Sequence, residues 1–236
     1  MTPRRAEVGD EAGAEAGAEA NPEPLSRREL AVARSLDSAR ARAENRVQQF
    51  LDAALELMQE DSGREFTVQE VVERSGQSLR SFYQYFDGKY ELLLALFEES
   101  IRNTAGRLRA AIAGEDDALA RLHRFTVEYY AMCRPAKGRV TPTMANFAQQ
   151  LLTDHPDEAS RAFLPLVTML EGLLADAEVA GAVRTGLDHN RIAGVVLQAI
   201  MFNAFATTIS ASSAARKGDA GAGTLWDLLL DGIATP

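Results

Sequence analysis

Apolar residues recur three and four positions apart along most of this chain and almost nowhere in alternation, so the pattern predicts helices rather than strands. Val47, Phe50, Leu51, Ala54, Leu55 and Met58 mark one stripe over residues 44–60. Val68, Val71 and Val72 mark a short helix over 67–75, and Phe82 and Phe86 lie four apart on a second over 78–86. A long helix follows over 90–113, through Leu93, Leu96, Phe97, Ile101 and Leu108, and another over 117–134. Further helices are predicted over 143–154, 156–179, 188–212 and 225–233, with Pro165 inside the second of these. The fold class is all-α.

The short pair has distinctive ends. Thr67 and Glu70 have the spacing of a capping box, in which the hydroxyl accepts from the Glu70 amide and the carboxylate reaches back. Gly76 suits a turn position with positive φ, which a Cβ would penalise. Ser78 is a natural N-cap for the second helix. Two short helices hinged at a glycine make a helix-turn-helix. In such a motif the N-terminal residues of the second helix approach base edges in the major groove. Arg80 is then the candidate for bidentate readout of guanine, Leu79 for a thymine methyl, and Gln84 for adenine or a phosphate.

Over residues 44–100 the chain resembles the TetR family of one-component bacterial transcription regulators. Thr67, Val71, Gly76, Ser78, Tyr83, Tyr85, Phe86, Lys89 and Leu92 stand in register with that family's signature. Val72 and Ser75, where the family usually has Ala, and Gln77, where it has an apolar residue, depart from it and bear on the angle between the two helices. The resemblance implies that Ser81, Tyr83, Tyr85 and Lys89 hold the DNA backbone. The full DNA-binding set is Thr67, Ser78, Leu79, Arg80, Ser81, Tyr83, Gln84, Tyr85 and Lys89. Core packing is the plain alternative for Tyr83, and a solvated charge for Arg80 and Lys89.

Charge pulls the other way. The 236-residue chain has a formal net charge of −9, whereas phosphate contacts need clustered Lys and Arg. Much of the acid lies in residues 1–24, a Gly/Ala/Glu-rich tail with too little apolar surface to offset ordering entropy. Residues 44–100 still hold more Asp and Glu than Lys and Arg. The composition changes at Leu25, and residues 25–43 form a basic extension, read either as an arm touching phosphate or the minor groove, or as a solvated helix or linker. The expected organisation is a disordered tail (1–24), this extension (25–43), a helix-turn-helix DNA-binding domain (44–90) and an effector-binding and dimerisation domain (91–236).

The larger domain is rich in aromatic and Met side chains. By resemblance, Phe97, Phe125, Tyr129, Met144, Phe147, Met169, Phe202 and Asn203 are candidates to line a cavity for a small hydrophobic effector; core packing or dimer contact is the alternative for each. The last two long helices match the family's dimer interface. The second is apolar nearly all round, with small Ala193, Gly194, Ala199 and Ala204, and must be buried somewhere. Two-fold pairing would place recognition helices one DNA turn apart, roughly 34–36 Å, on a palindromic double-stranded operator. The expected function is a homodimeric, ligand-responsive transcriptional regulator, a repressor released by its effector; the alternative is a TetR-like ligand-binding or scaffold protein without a specific operator.

Other chemistries find no support. His123, His155 and His189 are far apart, Cys133 is the one cysteine, and neither a zinc cluster, a P-loop nor a nucleophile elbow occurs. Adjacent carboxylates such as Asp116 and Asp117 point apart on a helix. An enzyme, a cofactor and a metal are therefore not expected. With one cysteine and no secretory signal or membrane span visible, the expected location is the cytoplasm.

Overall fold

The computed structural model describes residues 26–60, 65–134, 142–209 and 220–234. These contain nine α-helices: α1 Arg27–Glu60, α2 Val68–Ser75, α3 Leu79–Phe82, α4 Lys89–Ile112, α5 Ala118–Cys133, α6 Pro142–Asp154, α7 Pro156–Val179, α8 His189–Ile209 and α9 Ala220–Ile233. No strand occurs among the described residues, only an isolated bridge between Val183 and Ala234. The chain divides into two compact units, residues 1–43 and 44–236. The predicted tail at 1–24 and the end of the 188–212 helix lie outside the described residues.

In the second unit, the head is built on three phenyl rings. Phe50 of α1, Phe82 of α3 and Phe86 are buried, and the Phe50 ring meets the other two edge-on at 5.4 and 6.2 Å. Edge-to-face contact suits the ring quadrupoles, and burying rings of this size dominates the energetics of so small a head. Val71 and Val72 complete this core from α2.

The remaining helices form the body. Here α7 packs against α4, α5, α6 and α8, while α5 also meets α4, α8 and α9. Leu108, Phe125, Leu151, Leu166 and Ile200, from five different helices, have no exposed surface. Helix α7 continues through Pro165. Asp188 caps α8, accepting from the Arg191 amide at 3.0 Å. Near the C-terminus the Arg184 guanidinium donates to the Gly232 carbonyl, tying the α7–α8 turn to α9. None of the described helices is long and apolar enough to cross a membrane.

Three boundaries differ from the periodicity: α1 begins at Arg27 rather than at 44 and so runs through the basic extension, α9 begins at Ala220 rather than at 225, and the second helix of the motif is shorter. The second helix of the motif was expected over 78–86, but α3 is helical only over Leu79–Phe82 and continues as turns at 83–85. Gln84 and Tyr85 donate to carbonyls three residues back, tightening the last turn. The chain then passes through Asp87, whose amide donates to Glu91 at 2.5 Å, and Gly88 into α4. Phe82 and Phe86 stay on the buried side because the tighter turns preserve their common face.

Candidate nucleic-acid interface and ligand cavity

The motif is assembled by local hydrogen bonds. Thr67 Oγ1 accepts from the Glu70 amide, while Glu70 Oε2 accepts from the Thr67 amide at 2.7 Å, a complete capping box. Gly76 ends α2 at φ 66° and ψ 17°, the left-handed conformation that glycine adopts without a Cβ clash. Ser78 Oγ accepts from the Ser81 amide at 3.1 Å and starts α3.

The three departures from the family signature are accommodated in specific ways. Val72 is buried in the head core. Ser75 Oγ donates to the Val72 carbonyl at 3.0 Å. Gln77 is half-buried and its side-chain amide donates to Gln49 Oε1 of α1 at 2.8 Å. A hydrogen bond thus anchors the turn where an apolar contact was expected.

The predicted DNA-binding residues separate into two groups. Thr67, Ser78, Leu79, Arg80, Tyr83 and Gln84 are exposed, Tyr83 at 56% and Leu79 at 43%. Packing in the core is therefore not the role of Tyr83; its ring touches Phe82 edge-on at 5.4 Å and otherwise faces outward. The other three are partly buried. Ser81 Oγ is enclosed with no hydrogen-bond partner among the described residues, so as placed it does not present itself to a phosphate. Tyr85 is half-buried against the core. Lys89 Nζ lies 3.2 Å from Glu65 and 4.8 Å from the centre of the Phe66 ring. Arg74 is also taken: it forms a two-pronged pair with Glu60, both distances 2.8 Å, and reaches Glu56 at 3.4 Å. The Arg74 hydrogen bond holds the Glu60 carboxyl below its ordinary range. This clamp between α1 and α2 was not anticipated from the sequence, although the four-residue spacing of Glu56 and Glu60 puts both on one helix face.

The body contains a small cavity of about 60 Å³ that brings together Phe97, Tyr129 and Met144 of the predicted ligand set. Ser100, Thr104, Met132, Cys133 and Phe163 join them. Ser100 and Thr104 were missed, though they share the α4 stripe of Phe97 and Ile101. Phe125 and Phe147 belong to the packed core beside it: Phe125 stacks 6.0 Å from Tyr129 and Phe147 lies 6.2 Å from Phe97. Met169 is partly buried on α7. Phe202 and Asn203 are exposed on α8 and do not line the cavity. Burial pushes the Cys133 thiol up to about 12 and Tyr129 well above its ordinary value, so both are neutral near pH 7.

Through Ser100, Thr104, Met132 and Met144 the cavity adjoins a groove of about 230 Å³ between α1 and α4, bordered by Asp52, Glu99, Asn103 and Arg107. A second groove, of about 280 Å³, runs between α7 and α8, with Leu164 and Gln198 on its rim. Leu164, Val195 and Phe202 are exposed apolar side chains on these two helices. His123 and His155 are exposed, and no cluster of three or more potential metal ligands occurs among the described residues.

Comparison with known proteins places residues 50–96 on the family model described as bacterial regulatory proteins, tetR family. The fatty acid metabolism regulator protein of Bacillus subtilis is 21% identical over 140 residues, covering 59% of this chain and 72% of that protein. The crystal structure of FadR from Bacillus subtilis in complex with stearoyl-CoA superposes with a TM-score of 0.57 at 18% identity, covering 79% of this chain and 98% of the other. A TetR-family regulator from Pectobacterium atrosepticum gives 0.63 at 18% identity, covering 84% and 98%. The family model falls on the residues that form the capped helix-turn-helix, so residues 50–96 match a TetR-family DNA-binding domain, and the solved structures share the fold through the body.

Proposed function

We propose that the protein is a homodimeric repressor that leaves a palindromic operator when a small hydrophobic effector occupies its body. The observation that carries this reading is the outward face of the motif, where Leu79 and Arg80 on α3 and Tyr83 and Gln84 in the turn after it stand exposed, on a motif held by two caps and a left-handed glycine. Exposed, mixed apolar and polar side chains on a capped short helix and its following turn suit base-edge readout, which needs both donors and a methyl-sized contact.

The exposed Leu164, Val195 and Phe202 favour pairing through α7 and α8, since association would remove this apolar surface from water. The cavity favours an effector that changes the conformation it binds. At about 60 Å³ it is much smaller than ligand sites of roughly 300–1,000 Å³. A ligand would therefore bind better to a form in which α4 and its neighbours have moved apart. Because α4 begins at Lys89, directly after the motif, such a shift would change the spacing of the two heads. Only this difference in affinity between forms allows a ligand to move the equilibrium.

The second reading is a ligand-binding or scaffold protein without a specific operator. It draws on the acidic head, in which Arg74 and Lys89 are both held by carboxylates. The experiment that separates the two is binding of the purified protein to its own upstream intergenic DNA and to scrambled DNA at two salt concentrations. Specific binding that weakens steeply with salt supports the repressor. Addition of a long-chain acyl-CoA to the same assay tests one effector class, chosen because FadR was crystallised with stearoyl-CoA. Absence of specific binding there and in a genome-wide selection leaves the scaffold reading in front.

A further inference from the structure

The charge on the head raises a question that the motif does not answer. Residues 44–90 contain Arg46, Arg64, Arg74, Arg80 and Lys89 against nine Asp and Glu residues, and Arg74 and Lys89 are engaged with Glu60 and Glu65. DNA affinity depends on neutralising phosphates, so a head of this composition needs cations from elsewhere. Residues 26–43 have the opposite balance, with Arg27, Arg28, Arg34, Arg40 and Arg42 against Glu29 and Asp37.

The helical geometry of α1 sorts these charges. At roughly 100° per residue, Arg27, Arg28, Arg34 and Arg42 fall within an arc of about 120°. Between them on the same arc lie Ala31, Ser35 and Ser38, and no acidic residue. Asp37 lies outside the arc, about 120° from its centre. All seven residues of the arc are exposed, and none of the four arginines forms an ion pair with another described residue. Guanidinium groups supply charge and forked donors, the serine hydroxyls supply further phosphate donors, and small side chains allow a close approach. The leucines at 30 and 36 lie off this arc, so the stripe is not the apolar seam of a helix pair.

We propose that this face of α1 is a second DNA-binding surface, which contacts backbone phosphates and supplies affinity without reading sequence. The proposal rests on the DNA-binding reading above and adds to it a surface outside the helix-turn-helix. The charge complementarity is with a polyanion: among the described residues these four cations have no ion-pair partner.

The test is the full-length protein with Arg27→Gln, Arg28→Gln, Arg34→Gln and Arg42→Gln combined. Glutamine keeps helix propensity near that of arginine, and circular dichroism confirms that helix content is unchanged. The dissociation constant is measured on specific and scrambled DNA from 50 to 200 mM salt. If each arginine neutralises one phosphate, the slope of log affinity against log salt becomes shallower by about 3.6 per protomer. The wild type then loses roughly 150-fold more affinity across that range than the variant. The ratio of specific to scrambled binding stays the same. A control with Arg109→Gln and Arg124→Gln in the body leaves the slope unchanged. Equal slopes for wild type and the quadruple variant overturn the proposal while leaving the repressor reading intact. Steep, stripe-dependent binding with no preference for any sequence sustains the stripe and overturns the repressor. No DNA binding by the wild type even at 50 mM overturns both.

Discussion

Lys89 is a phosphate-binding position in the family signature, yet here its ammonium is 3.2 Å from Glu65. If Lys89 does bind phosphate, Glu65 competes with the DNA for it, and removing the carboxylate should tighten binding. The size of the effect follows from exposure. The Glu65 side chain is 87% exposed and that of Lys89 28%, so the pair sits close to bulk water. Two unit charges at this separation in water interact by about 1.3 kcal/mol, and exposed pairs contribute roughly 0–1 kcal/mol once side-chain ordering is counted. Glu65→Gln should therefore change unfolding stability by less than about 1 kcal/mol while tightening DNA binding by up to about tenfold at low salt. The gain should be equal on specific and scrambled DNA, because phosphate contacts are blind to sequence, and should shrink as salt screens it. Loss of one negative charge near DNA could produce a similar gain by itself, so the assay is a double-mutant cycle. Fluorescence anisotropy on the wild type, Glu65→Gln, Lys89→Ala and the double variant measures the coupling. An equal gain in the Lys89→Ala background, or no gain at all, refutes the competition.

Three further outcomes are expected. Arg80→Ala should cost about 1–3 kcal/mol at one base pair of the operator and little on random DNA; equal losses on both would remove Arg80 from base readout. Phe82→Ala should destabilise the protein by about 3–5 kcal/mol, since the ring is fully buried between Phe50 and Phe86; a denaturant midpoint within error of the wild type would contradict the packing. The Cys133 thiol, raised to about 12 by burial, contributes stability that is intact below the unfolded thiol value near 8.5 and is lost as pH rises toward 12. Cys133→Ala should flatten the fall in stability between pH 8 and 10 relative to wild type, and the native thiol should react with iodoacetamide far more slowly than in denaturant; rapid native labelling would show that the site is open.

The parts of this protein legible from sequence are those in which a residue acts on its near neighbours. Thr67, Glu70, Gly76 and Ser78 specify caps and a turn through atoms two to four residues away, and each takes the expected geometry. The helical class and most helix limits follow likewise from the period of the apolar residues, since burial of one face selects that period. The end of α3 was placed too far along because a tightened turn still keeps Phe82 and Phe86 on one side, so the apolar spacing does not distinguish the two.

What tertiary structure decided is which of several plausible partners each long side chain takes. Lys89 could equally face water, a phosphate or Glu65, and only the approach of residue 65 to the start of α4 selects the last. Gln77 reads as an unfavourable departure until Gln49 is seen beside it on α1. In the body, any apolar helix residue can face core, cavity or surface. The packing of α4, α5, α6 and α7 puts Phe97, Tyr129 and Met144 around a void, fills the neighbouring space with Phe125 and Phe147, and leaves Phe202 and Asn203 outside. Capping and periodicity are local and need only the order of residues, whereas ion pairing and cavity formation depend on distances between segments far apart in the chain, which packing alone determines.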